Sequence, residues 1–207
     1  LEGADLRGAD LSGAKLKKVD FSVAASLEGV RFEGADLRMA RLTGLDLSGT
    51  SFHGARMRKA DLSGALLIGA DLREAKMNKA RLEHADLRRA DLRRASMSGV
   101  KLKGAKLQRA NLELVRLSGA LMGMDFSGAV LRRTSLAGAN LKDAVFHGAL
   151  MQFVDLQKAN LYGADFTGAD LRRANLSRAN LTNARLQEAD TTGILLHEAR
   201  GAETALR

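Results

Sequence analysis

The chain has 207 residues, with 33 Lys and Arg against 24 Asp and Glu, a net charge of +9, and no Cys, Pro or Trp. Without cysteine it can form neither a disulfide framework nor a thiolate nucleophile; this fits a reducing compartment, and we expect a cytoplasmic location. No apolar run approaches 18 residues, so we expect no membrane-spanning segment.

A five-residue repeat runs through the chain and is clearest in residues 80–94, ARLEHADLRRADLRR. From Leu6 to Leu196 there are 39 pentads; the central residue is Leu, Phe or Met in 38 of them, and the residue two before it is Ala in 29. A period of five matches neither an α-helix nor a simple strand. The repeat predicts one solenoid domain, and because the chain begins inside a pentad we expect further sequence before Leu1.

Large central residues recur at intervals of 20, with Met at 57, 77 and 97 and Phe at 126, 146 and 166. This interval predicts four pentads per coil, with like side chains stacked inside successive coils. Nineteen of the 21 Gly lie two residues after a centre, and Asp or Asn precedes the centre in 19 pentads, both typical of corner turns. We therefore predict an all-β, parallel β-helix of about ten coils spaced about 4.8 Å apart.

The repeated A(D/N)LXX pattern resembles that of the pentapeptide-repeat family over essentially the whole chain. The resemblance implies a right-handed quadrilateral β-helix whose repeat residues are structural. In the family's best understood branch, quinolone-resistance proteins that bind topoisomerase, the rod mimics duplex DNA in shape and acidic charge. The resemblance thus implies an alternative function as a modulator of DNA gyrase or another topoisomerase, although this chain departs from that branch in being basic in the middle.

Three boundaries are predicted from breaks in the repeat. The β-helix covers residues 1–193, with one residue inserted in 22–26 and one missing in 123–125, between the centres Met122 and Phe126. Residues 194–207 have a helical composition and are predicted to form a short C-terminal capping helix, because an open solenoid end exposes unpaired backbone and apolar interior. Each register slip is expected to be a bulged or tightened corner, or a bend that shapes the rod for a partner.

No catalytic constellation is expected. The four histidines, His53, His84, His147 and His197, each follow a centre by one or two residues. By pentad count they lie on three faces and many coils apart, so they cannot share a metal ion. The regularly placed Asp residues are better explained by turns than by carboxylate pairs. We therefore expect a non-enzymatic protein with no metal or cofactor.

Basic residues are concentrated in the middle of the chain, where residues 51–150 hold 19 Lys and Arg against 9 Asp and Glu. Pentad counting places them as a band on two opposite faces, and such a band favours an anionic partner unless it serves only solubility. Nucleic acid is not favoured, because no aromatic residues are interleaved to stack bases, and an acidic protein fits at least as well. The candidate residues are Arg56, Arg58, Lys59, Lys76, Lys79 and Arg116 on one face, and Arg88, Arg89, Lys106 and Arg109 on the other.

An apolar group at outward positions is the second surface feature. Leu114, Val130, Leu150 and Phe153 fall on one side of three successive coils, with Val145 on the neighbouring side. A contiguous group of this kind predicts a contact surface, the alternative being drift in a tolerant repeat. The sequence thus favours a protein-interaction scaffold that binds an acidic protein or a second copy of itself, with direct DNA binding through the basic middle as an alternative.

Overall fold

Parallel backbone bridges join most pentads within each part of the chain to the pentad four places further along. In the computed structural model, which describes residues 1–119 and 121–206, Arg56 pairs with Lys76 and Val130 with Leu150, in each case 20 residues apart. The chain divides into two compact units, Leu1–Lys106 and Leu107–Arg207, and each is built from coils of four pentads. Coils in repeat proteins contact mainly their neighbours, so one unbroken repeat is compatible with two units.

Regular secondary structure is sparse in the described residues. Each side of a coil contributes a single bridged residue, so there is no strand of several residues, and the one helix, α1, is Ala202–Ala205. The C-terminus differs from the predicted cap over 194–200: Leu195 and Arg200 still form parallel bridges, with Asn175 and Asn180. Thr191 and Leu196 keep the central positions of these last pentads, so the repeat extends almost to α1.

A four-residue turn links successive sides of the coil. In the turn that starts at Phe32, the N–H of Ala35 donates to the Phe32 carbonyl at 3.1 Å and Gly34 has a φ of 63°, the pattern of a type II turn. All 21 glycines have positive φ, and so do 19 other residues in the described part of the chain, including Leu114 and Phe153. The corner position thus forces its residue, glycine or not, into the left-handed region.

Substitution at a corner tests this requirement. Gly138 has a φ of 67°, and a Cβ added there would meet no atom within 4 Å. Gly138→Ala is therefore expected to cost about 1 kcal/mol in free energy of unfolding, from backbone conformation alone. The matched control is Lys158→Ala at the same corner of the next coil, where a non-glycine residue already has a φ of 58° and little change is expected. Urea unfolding measures the free energy of unfolding of both variants. Equal losses of stability would contradict the conclusion that the corner requires a positive φ.

Where an Asp or Asn directly precedes a centre, its side chain accepts a hydrogen bond from a backbone N–H that has no partner in the bridges or the turn. The Oδ1 of Asp10 accepts from the N–H of Ser12 at 3.0 Å, and the Oδ1 of Asn111 accepts from the N–H of Glu113 at 3.1 Å. Buried or half-buried backbone donors need such partners. The preference for Asp and Asn in the repeat is therefore a structural requirement of the corner.

The interior of each unit is filled by the central residues and the small residues two before them. Phe126, Phe146 and Phe166 are fully buried and stack with ring centroids 5.1 and 4.9 Å apart, and Phe32 stacks on Phe52 at 5.2 Å. This confirms the expected stacking of like side chains on successive coils. Most of the Ala residues two before a centre are also buried, which keeps the interior narrow.

Both register slips are visible in the bridges. Across the first, Asp5 pairs with Ser26 and Asp20 with Arg41, 21 residues apart, so one extra residue is accommodated within 22–26.

The second slip differs from the prediction, because the central residue is Leu121 and not Met122. Leu121 is buried whereas Met122 is 55% exposed, and Arg116 pairs with Ser135, only 19 residues on. The short step therefore runs from Leu117 to Leu121 instead of across 123–125. With Leu121 as the centre, Gly123 takes the corner position, where its φ is 61°.

Candidate functional site

The predicted apolar group lies in the second unit, and four of its five residues share one side of the coils. Val130 and Leu150 are half-buried bridge partners, while Leu114 and Phe153 occupy corners of that side and are 42% and 46% exposed. Val145 lies on the preceding side, where it pairs with Asp125 and Asp165.

Arginines interrupt this group, so it is not the continuous apolar patch that we expected. Arg133 takes the corner between Leu114 and Phe153, and Arg173 takes the corner on the following coil. Their guanidinium carbons lie 5.7 and 5.6 Å from the centroid of the Phe153 ring. The exposed ring is therefore held between two cations, an arrangement in which each guanidinium gains a cation–π contact.

A cleft of about 630 Å³ opens around this ring. We call it the arginine cleft; its lining residues come from five successive coils of one side and are Glu113, Arg132, Arg133, Gln152, Phe153, Arg172, Arg173 and Thr192.

Half of the arginines in the cleft are fixed by a hydrogen-bonded row. The Nε of Arg132 donates to Oε1 of Gln152 at 2.8 Å, Gln152 donates in turn to Asp170, and Arg172 pairs with Asp170 at 2.6 Å. The hydrogen bond from Arg172, opposed by partial burial, holds the pKa of Asp170 below its usual value, so this carboxylate stays charged.

Arg133 and Arg173 have no carboxylate within 4 Å among the described residues. Their N–H groups remain available to an anion, while their guanidinium carbons lie within 5.7 Å of the centroid of the Phe153 ring. The cleft thus combines two available guanidinium groups with an exposed aromatic ring.

The four cleft arginines were missed in the sequence, although a signal was present. The dipeptides Arg132–Arg133, Gln152–Phe153 and Arg172–Arg173 are spaced by 20 residues, the length of a coil in this unit. Aligning the outward residues at intervals of 20 would have placed these arginines beside the Phe153 ring.

The predicted basic band is not one uniform surface. In the first unit, Arg88 pairs with Asp86 at 2.7 Å and Lys106 lies 3.9 Å from the same carboxylate, while Arg89 occupies a corner. In the second unit, Arg109 also occupies a corner and Arg116 is an exposed bridge residue.

The other predicted basic residues of the first unit form a larger surface that includes three lysines not anticipated. Bridges join Lys15 to Asp36, Asp36 to Arg56, and Arg56 to Lys76, which places the first coil in line with the predicted residues. We call this side the polybasic face; its exposed cations are Lys15, Lys17, Lys18, Arg56, Arg58, Lys59, Lys76 and Lys79.

The histidines do not converge. His147 lies 3.1 Å from Asp165 and His197 lies 3.1 Å from Glu198, both exposed. Over residues 1–119 and 121–206 the structure contains no group of three or more His, Cys, Asp or Glu placed to hold a metal ion. Within the same residues, no helix has the length and apolar character needed to cross a bilayer.

The family of the chain follows from its repeat. A family model described as pentapeptide repeats matches repeatedly along the chain, over residues 1–22, 25–64, 55–94, 65–104, 95–122, 125–161 and 159–197. The chain therefore belongs to the pentapeptide-repeat family, as its sequence pattern predicts, and has that family's fold, the right-handed quadrilateral β-helix.

Solved structures of pentapeptide-repeat proteins are similar to this chain. HetL from the cyanobacterium Nostoc sp. strain PCC 7120, a pentapeptide repeat protein involved in heterocyst differentiation regulation, is 28% identical, with a TM-score of 0.51 over 97% of this chain and 88% of its own. The plasmid-mediated fluoroquinolone resistance protein QnrB1 is 17% identical, with a TM-score of 0.46 over 100% and 89%. A search of curated proteins found no match.

Proposed function

We propose that this protein is a non-enzymatic interaction scaffold whose arginine cleft binds an acidic segment of a partner protein. The observation that carries the proposal is the exposed Phe153 ring between Arg133 and Arg173, two guanidinium groups with no carboxylate within 4 Å among the described residues. Arginine is suited to bidentate pairing with carboxylates, and an aromatic ring supplies an apolar contact. The backbone bridges and turns fix the corners that carry these side chains, so little backbone conformational entropy is lost on binding.

The geometry defines the kind of segment. Arg133 and Arg173 are two coils apart, about 10 Å at the usual spacing of bridged backbones. A peptide in the polyproline II conformation advances about 3.1 Å per residue with three residues per turn, so carboxylates at i and i+3 lie on one face and about 9 Å apart. The matching segment carries two acidic residues at i and i+3 with an apolar residue between them.

The same arginines disfavour pairing with a second copy through this face. A two-fold interface brings the same patch of both copies together and would oppose Arg133 and Arg173 with their own equivalents. Like charges across an interface are repulsive. The charge of the cleft therefore disfavours self-association through this face.

Binding of defined peptides tests the proposal. Fluorescence polarisation would compare a labelled extended peptide with Glu at i and i+3 flanking a Leu against the same peptide with Gln in place of both Glu. We expect the acidic peptide to bind more tightly, and Arg133→Ala with Arg173→Ala to weaken its binding roughly 10-fold or more, since hydrogen bonds to charged groups contribute about 1.5–3 kcal/mol each.

A matched control removes two other arginines of the second unit. Arg178 pairs with Glu198 at 2.7 Å and Arg185 lies 3.7 Å from Asp165, and neither lines the cleft. Arg178→Ala with Arg185→Ala lowers the net charge equally and should leave binding unchanged. Equal weakening in both double variants, or equal binding of the Gln peptide, would show that the cleft is not the site.

A further inference from the structure

The net positive charge of the first unit lies on one side of its coils. Residues 1–106 contain 21 Lys and Arg and 14 Asp and Glu. The polybasic face, together with the Arg38–Asp36 pair within it, holds nine of these cations and one of the carboxylates, which leaves 12 cations and 13 carboxylates on the other three sides. If these cations served only solubility, we would expect them to be distributed over all four sides of the coils.

The cations of this face are not neutralised by partners. Its eight exposed Lys and Arg have no ion pair within 4 Å among the described residues, whereas Arg7, Arg73 and Arg88 on the other sides each pair with an Asp at 2.6–2.7 Å. The one carboxylate of the face, Asp36, is held by Arg38 at 2.5 Å. The face therefore presents its charge to solvent.

The spacing of the charges suits a regular polyanion. The rows that begin at Lys15, Asp36, Arg56 and Lys76 lie on four successive coils, so they extend over about 14 Å along the coil axis. Duplex DNA carries one phosphate per about 1.7 Å of helix axis, so the same length holds about eight phosphates, roughly half of them facing one side.

We propose that the polybasic face binds the phosphate backbone of duplex DNA without regard to base sequence. Backbone binding requires only cations in register with phosphates, which this face supplies. The face has no aromatic side chain to stack the bases of a single strand. It also lacks an amphipathic helix or aromatic residues that would insert into a lipid interface, its one exposed apolar residue being Met39. This face and the arginine cleft share no residue, so the two proposals can be tested independently.

Salt-dependent binding of the full chain to a 20-base-pair duplex of mixed sequence tests the proposal. With about four phosphates contacted, anisotropy titrations between 50 and 300 mM NaCl should give a slope of log K against log salt of about −4. Lys17→Gln, Arg58→Gln and Lys76→Gln together should reduce the slope by about 2–3 and weaken binding at 50 mM salt at least roughly 10-fold, while a duplex of different sequence binds equally.

The control makes the same change in net charge with paired arginines: Arg7→Gln, Arg73→Gln and Arg88→Gln. It should bind within about 2-fold of the unsubstituted chain, with the same slope, because those cations are already neutralised. Circular dichroism of each variant establishes that it is folded. Equal weakening by both triple variants, the absence of salt-dependent binding, or tight binding to vesicles containing phosphatidylserine without binding to the duplex would each overturn the proposal.

Discussion

Phe146→Ala is expected to lower the free energy of unfolding by about 3–5 kcal/mol, the usual cost of truncating a buried Phe. Phe146 is fully buried and stacks on both Phe126 and Phe166. Its removal leaves a cavity and takes a stacking partner from two rings at once. A narrow interior bounded by backbone bridges has little freedom to collapse into the space.

Phe153→Ala is the matched control, because it truncates the same residue type a short distance along the chain, at an exposed corner. Phe153 is 46% exposed and contacts arginines instead of the interior, so its loss should cost less than about 1 kcal/mol. Urea unfolding followed by far-UV circular dichroism measures both. If the two substitutions shifted the midpoint equally, the stacked phenylalanines could not be a main source of stability.

A progressive loss of stability is also expected below pH 4. Carboxylates at the turn position accept hydrogen bonds in the folded protein, which lowers their pKa: for Asp46 the bond from Ser48 is the main cause, and for Asp36 the bond from Arg38 brings the pKa to about 2. A carboxyl group whose pKa is lower in the folded protein than in the unfolded chain stabilises the folded state. This stabilisation is present above the pKa of the unfolded chain, near 3.8, and is lost as the pH falls through the pKa of the folded protein.

Charge repulsion increases the effect. When the carboxylates are protonated, 33 Lys and Arg and four His remain with few opposing charges. Urea unfolding at pH 7, 4, 3 and 2 should show the free energy of unfolding falling mainly between pH 4 and 2. Added salt should restore only the part due to repulsion between exposed charges.

Asn substitution separates turn bonding from titration. In this fold Asn accepts the same bond as Asp, as Asn175 does from Ser177 at 3.1 Å. Asp46→Asn with Asp125→Asn should therefore keep both turns but lose less stability between pH 4 and 2 than the unsubstituted chain. For Asp125, burial opposes the charged form, but the bonds from Ser127 and Gln108 outweigh it and lower the pKa. An unchanged pH profile would assign acid sensitivity to other groups.

The architecture could be predicted from the amino-acid pattern alone. The pentad period, the 20-residue recurrence of Met and Phe, and the corner Gly predicted coils of four pentads, and the structure has them in both units. Inward positions admit few residue types because the interior is narrow, and corners demand positive φ, so both leave a strong pattern. The second slip was misplaced because Leu121 and Met122 are both plausible centres, and only burial distinguishes them.

The arrangement of the surfaces depends on the folded chain. Apart from the turn Asp or Asn and the corner Gly, the repeat places little restriction on outward residues. The contacts of these residues therefore depend on the neighbouring coil and on the conformations of long side chains. Arg133 and Arg173 approach Phe153 from neighbouring coils, and Lys15 comes into line with Arg56 only because the extra residue in 22–26 shifts the first coil. The basic residues named from sequence likewise separated into cations with an ion pair, such as Arg88, and cations with none among the described residues, such as Arg58. Pairing depends on short distances between side chains that a linear pattern does not contain.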